Sequence, residues 1–170
     1  DDSWNQTIYW ALIVGRRLPA KGLVTSLSFS NSDGTKIKSQ NDAPQLAALD
    51  LGSNSFHLLI AQENQGRVVV VDKYKEMVRL GEGLINGGRL NSEIKDRALL
   101  CLTRIAQRIR PIASENLRIV GTNTLRQLSS NSAFVTQAEE ILGHPIEIIS
   151  GREEARLIYL GVCQDLGDNT

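Results

Sequence analysis

The chain has 170 residues, 41% hydrophobic, 22% charged and 5% aromatic, and its 19 basic and 19 acidic side chains give a formal net charge of +0. That length and composition suit one globular domain with a core of its own, and the charge balance excludes bulk attraction to nucleic acid or to an anionic membrane. Cys101 and Cys163 are too few for a disulfide scaffold, and both sit in apolar helical patterns, so they read as reduced core residues of a cytoplasmic protein.

Residues 1–44 read as an N-terminal extension, separate from a domain over residues 45–170. The apolar run Ile8–Val14 is too short to span a membrane, and Asp1-Asp2 lacks a signal peptide's positive start. Residues 21–44 are loaded with Ser, Gly, Asn, Asp, Thr and Lys, end in Pro44, and read as flexible.

The stretch that organises the rest is 46–60, LAALDLGSNSFHLLI. Two apolar runs flank a Gly/Ser/Asn turn, the pattern of a β-hairpin. Backbone N–H groups of such a turn can converge on an anion, with Ser53 and Ser55 hydroxyls as further donors. Asp50 at the strand end can hold a divalent cation directly or through water. Composition alone leaves an ordinary hairpin turn equally open.

Asn64-Gln65-Gly66 signals a turn, and Arg67–Asp72 reads as a third strand, rich in β-branched residues. An extended segment from Lys73 to Leu84 leads to a loop at Asn86-Gly87-Gly88. Gly81, Gly83 and Gly87 have the wrong spacing for a dinucleotide fingerprint. Ile94, Ala98, Cys101, Leu102, Ile105 and Ile109 recur at helical spacing over 92–110, with Asn91 or Ser92 as cap and Pro111 beyond. Arg97, Arg104 and Arg108 are expected on that helix's solvated face. Leu117–Val120 reads as a fourth strand, Asn131 or Ser132 to Leu142 as a second helix ended by Gly143, and Ile146–Ile149 as a fifth strand. A third helix runs from Ser150 to about Gln164. The order βββαβαβα implies an α/β domain, a mixed five-stranded sheet covered by helices.

Four ordered stretches carry a resemblance. They are Asp50-Leu51-Gly52-Ser53-Asn54-Ser55-Phe56-His57, then Val78-Arg79-Leu80 with Gly83-Leu84, then Val120–Arg126 (VGTNTLR), then Ile148–Ile158 (IISGREEARLI). Together they resemble the exopolyphosphatase/guanosine pentaphosphate phosphohydrolase family, a branch of the actin-like ATPase superfamily, over roughly residues 45–164. The resemblance implies a ribonuclease H-like half-domain and bacterial stringent-response chemistry, the release of terminal phosphate from inorganic polyphosphate or guanosine pentaphosphate. It implies Mg²⁺ or another divalent cation as cofactor, no nucleic-acid partner, no membrane span, and a homodimer of the full-length protein. By position, the glutamate that activates the attacking water falls on Glu154, phosphate binding on Gly52, Ser53, Asn54, Ser55 and Arg126, and the metal on Asp50.

Read without the family, those residues have plainer uses. Ser150 and Glu153 fit a capping box, and Glu154 in the first helical turn suits the positive helix end. Ala155, Ile158, Tyr159 and Val162 read as that helix's buried stripe, with Glu154 beside it. Arg126 is otherwise a surface arginine, Arg156 a salt-bridge partner, His57 a satisfied structural residue, and His144 an exposed turn residue. The family's second phosphate loop, Asp-x-Gly-Gly-Gly-Ser-Thr-Glu, is expected just after Gly167–Thr170, so this chain is expected to carry one wall of the site and to be inactive or weakly active alone. A non-catalytic phosphate-ligand-binding or oligomerisation module is the alternative, and an actin-like sugar kinase half a weaker one.

Overall fold

A computed structural model describes residues 44–64, 67–128 and 132–167, with side chains 63, 64, 67, 68 and 160–167 outside that description. The expectations for the extension, for the Gln65-Gly66 turn and for Cys163 fall outside the described residues.

Strands β1 (Gln45–Leu51), β2 (Ser55–Asn64) and β3 (Arg67–Met77) form the antiparallel meander. A 3₁₀ turn, Leu80–Gly83, leads into a two-stranded ribbon of β4 (Leu84–Ile85) and β5 (Arg89–Leu90) around Gly87 and Gly88, both at positive φ. Helix α1 (Ser92–Ile109) starts where Asn91 Oδ1 accepts the N–H groups of Glu93 and Ile94, the expected cap. Next come β6 (Leu117–Gly121), the short helix α2 (Asn123–Gln127), and α3 (Ala133–Leu142), which ends at Gly143 with φ 69°. The chain then forms β7 (Glu147–Ile148) and α4 (Gly151–Gly167). The sheet runs β3-β2-β1-β6-β7, with β1, β6 and β7 mutually parallel. The fold is the expected α/β class, with α2 and the β4–β5 ribbon as additions.

The two faces of the sheet are unequal. Period-two alternation sends Ala47, Leu49 and Leu51 into the larger cluster, with Ala98, Cys101, Leu102, Ile105 and Ile109 of α1 and Phe134, Ala138 and Leu142 of α3. Ala48, Leu59, Ala61, Val120 and Ile149 face the other way, onto Leu157 of α4. Among the described side chains of α4, Leu157 is the buried one; of the expected stripe, Ala155 is exposed, Ile158 half-buried and Tyr159 69% exposed, and Val162 lies outside the described side chains. The same alternation puts Asp50 on the α4 face with Ala48.

Of the α1 arginines expected on a solvated face, Arg104 and Arg108 are exposed there and Arg97 is half-buried, and all three have partners. Arg97 donates to the Val78 carbonyl, Arg104 pairs with Glu76 beside Tyr74, and Arg108 pairs with Asp72 while stacking 4.6 Å from the Tyr74 ring centre. The helix crosses β3, whose acidic residues give these cations partners the helical pattern could not show.

Candidate functional site

Because β1, β6 and β7 are parallel, their C-terminal ends share one edge of the sheet, and the turn after β1, helix α2 and helix α4 all leave from it. Ligands in open α/β sheets collect at such an edge. Asp50 stands there, opposite His57 on β2 and Val120 on β6. Its Oδ1 is fully buried and has no hydrogen-bond partner. Burial, and then the nearby charge of Glu154, push its carboxyl up from 3.8 to about 7. A buried polar atom left unpaired costs about 1–3 kcal/mol, so folds rarely keep one without a use.

The turn after Asp50 is fastened from outside. A Cβ on Gly52 would stand 2.9 Å from the Ser55 carbonyl oxygen, so the close turn requires glycine. Thr124 Oγ1 donates to Ser53 Oγ at 2.7 Å, and the Gly81 N–H donates to the Ser53 carbonyl at 2.8 Å. The exposed Asn54 offers its carbonyl to the N–H groups of Val78 and Arg79, at 3.1 and 2.7 Å. Ser55 Oγ lies 2.6 Å from Nε2 of the buried His57, which gives His57 the structural use expected of it.

Arg126 occupies the last turn of α2, a helix of five residues, too short for periodicity to reveal. Its Nη1 donates to the Ile149 carbonyl at 2.7 Å and to Glu154 Oε2 at 3.2 Å. The expected capping box forms by half. Ser150 Oγ accepts the Glu153 N–H at 3.1 Å, but the Glu153 carboxylate grips Arg156 through both oxygens at 2.8 Å instead of folding back. That pairing, chiefly its hydrogen bonds, lowers the Glu153 pKa. Glu154, one residue on, is half-buried, pairs with Arg126, and is near enough for its charge to act on Asp50. His144, expected exposed, is half-buried.

The fold thus gathers Asp50, Ser53, Arg126 and Glu154 at one edge, while Asn54 and Ser55 hold the turn through their carbonyl and hydroxyl. Two further residues support the turn with no role predicted there from the sequence: Thr124, 2% exposed, and Gly81, where a Cβ would approach Thr124 Oγ1 to 3.4 Å. The signal was a threonine between Asn123 and Leu125 in a motif already singled out. Among the described residues no group of three His, Cys, Asp or Glu side chains is placed to cage a metal. A hard cation that keeps its waters and needs only one or two carboxylates still fits the Asp50 oxygen. Among them, too, no helix is long and apolar enough to cross a membrane.

Residues 59–170 match the Ppx/GppA phosphatase family. A protein of Aliivibrio fischeri named guanosine-5'-triphosphate,3'-diphosphate pyrophosphatase is 46% identical over 133 residues, covering 78% of this chain. The match spans 27% of that relative's length. The crystal structure of an exopolyphosphatase from Cytophaga hutchinsonii superimposes with a TM-score of 0.60 at 27% identity, covering 66% of this chain and 36% of its own. The Aquifex aeolicus member of the Ppx/GppA protein family superimposes equally, TM-score 0.60, at 23% identity over 66% of this chain and 37% of its own.

Proposed function

The chain belongs to the Ppx/GppA phosphatase family, and from that premise we propose that residues 45–170 form one half of a phosphatase domain that releases terminal phosphate from inorganic polyphosphate or guanosine pentaphosphate. The observation that carries this reading is Asp50, whose oxygen is buried and unpartnered at the sheet edge, within electrostatic reach of Glu154. Asp50 would hold Mg²⁺, which when bound supplies positive charge against the phosphate oxygens.

Gly52 and Asn54 supply main-chain donors, and Ser53 and Ser55 supply hydroxyls, for the terminal phosphates. Arg126 uses Nη1 on Ile149 and Glu154, and its planar fork has further N–H donors for phosphate oxygens. Glu154 accepts a proton from water as the water oxygen attacks phosphorus, and the bridging P–O bond breaks with its electron pair leaving on the shortened chain. The Arg126 ion pair fixes the carboxylate for that task and ties its orientation to phosphate binding. Since the chain spans about a third of the solved relatives, turnover is proposed to need the remainder of such a protein, in a cytoplasmic homodimer.

The test is Mg²⁺-dependent phosphate release from polyphosphate and from guanosine pentaphosphate, with and without Glu154→Gln. It is run on this chain and on a chain of the relatives' full length that contains it. The expected result is silence or slow release from this chain, and release from the longer one that falls about 100-fold or more with Glu154→Gln. A folded longer chain that releases nothing would sink the hydrolase reading. A second reading, phosphate binding without turnover, is favoured by the Arg126–Glu154 pair itself, which engages the Glu154 carboxylate while leaving Arg126 donors for phosphate. Polyphosphate binding without Glu154-dependent release from the longer chain would select it.

A further inference from the structure

We propose that Arg97, on α1 and outside the site, is a positioning residue that holds the Ser53–Asn54 turn in its phosphate-binding geometry. Its Nε and Nη2 both donate to one acceptor, the carbonyl of Val78, at 3.0 and 2.7 Å. A guanidinium spending two donors on one main-chain oxygen, across 19 residues of sequence, fixes that peptide in place and direction. The grip passes straight to the turn. The Val78 and Arg79 N–H groups bond the Asn54 carbonyl, and the Gly81 N–H bonds the Ser53 carbonyl.

The gripped segment is one that would not hold itself. Arg79 is the one non-glycine residue at positive φ among the described residues, at 55°, a left-handed conformation that persists only where surroundings impose it. Val78 and Leu80 on either side are fully buried. A second anchor to the same helix region lies two residues beyond Gly81. The Asn91 N–H donates to the Gly83 carbonyl at 2.7 Å, and Gly83 lies so close to Ile94 that an added Cβ would stand 2.7 Å from its Cγ2. Helix α1, seated in the larger core, therefore serves as the fixed body against which the turn is aligned.

The positioning role rests on the phosphate-loop reading above, and the experiment separates the two. Amide hydrogen exchange of the 170-residue chain is followed residue by residue, beside titration with long-chain polyphosphate, for Arg97→Met and Arg97→Lys. Methionine keeps the aliphatic stem and drops every donor, while lysine keeps a cationic donor. The expected result for Arg97→Met is exchange at Val78, Arg79 and Gly81 faster by about tenfold or more, with Leu49 and Ile60 in the core unchanged. Polyphosphate affinity falls several-fold in parallel, and Arg97→Lys recovers part of both. Unchanged exchange at those three amides overturns the proposal, as does faster exchange that leaves polyphosphate affinity intact. Exchange that rises equally in the core marks a merely structural role and overturns it too. If the parent chain binds no polyphosphate while Ser53→Ala is equally silent, the phosphate-loop reading fails. The positioning role in phosphate binding falls with it, whatever exchange shows of the turn.

Discussion

A carboxyl that titrates near 7 in the fold and near 3.8 in an open chain binds its proton more tightly when folded, and Asp50 is in that position. The sign follows by linkage: its contribution to stability is full below about pH 4 and is lost as pH rises toward 7, because the folded state alone resists ionisation. Asp50→Asn is therefore expected to stabilise the ligand-free chain at pH 8 by about 2–3 kcal/mol, discounted because the residue as a whole is half-buried, with the difference fading toward pH 4. Urea midpoints of both chains at the two pH values measure it, and a difference independent of pH would contradict the burial argument. With Mg²⁺ present the parent chain should regain part of the deficit, since a cation on that oxygen favours its ionised form. Thr124 tests the neighbouring support. Thr124→Val keeps the shape and removes the donor to Ser53 Oγ, so stability should drop by about 0.5–1.5 kcal/mol and polyphosphate binding should weaken, read by thermal melts and by titration.

The elements differ in how plainly the sequence announces them. Helix α1 shows its buried stripe at regular spacing, and its cap at Asn91 is as expected, so Asn91→Ala should cost about 1 kcal/mol in denaturant unfolding. The β1–β2 hairpin is legible from two apolar runs around a Gly/Ser/Asn turn, β3 from its β-branched run, and α3 from its cap region and the closing Gly143. The β4–β5 ribbon and α2 are not, because strands of two residues and a helix of five are shorter than any period they could display. The placement of Arg126 was hidden with α2, and its contact with Glu154 links two segments 28 residues apart that no local pattern joins. Helix α4 misled in another way. Ala155, Leu157, Ile158 and Tyr159 offer several candidate apolar stripes, and only packing against β1 and β6 selects Leu157. Glu153 and Arg156, three apart, satisfied each other more cheaply than the reciprocal cap could. The Gly83–Ile94 approach was likewise invisible, and it makes a sharp check on how α1 is docked. Gly83→Ala should destabilise by about 1–3 kcal/mol, whereas a neutral outcome would mean the turn and the helix can part without loss.

Across the described residues, the candidate site and the larger core sit on opposite faces of the sheet. The α1/α3 face holds the larger core, which includes the strands' Leu49, Leu51, Phe56 and Leu58, all nearly or fully buried. The α4 face carries Asp50, Glu154 and Arg126, and among the described side chains of α4 only Leu157 is buried. The N-terminal half of a helix anchored by one buried side chain among those described is expected to open at a free energy below that of the global unfolding step. Amide exchange should therefore show α4 opening well before α1, with Leu157→Ala accelerating exchange across α4 while leaving α1 close to its parent rates. Leu102→Ala, by contrast, removes a fully buried side chain from the large core and should lower global stability by about 2–5 kcal/mol, bringing the whole sheet down together. Phosphate bound between the Ser53 turn and Arg126 should slow α4 opening, because Arg126 is tied to Glu154 and to the Ile149 carbonyl just ahead of the helix. Should α4 exchange no faster than α1 in the unliganded chain, the α4 face is held by contacts beyond Leu157, and Glu154 would then be fixed in place before any phosphate binds.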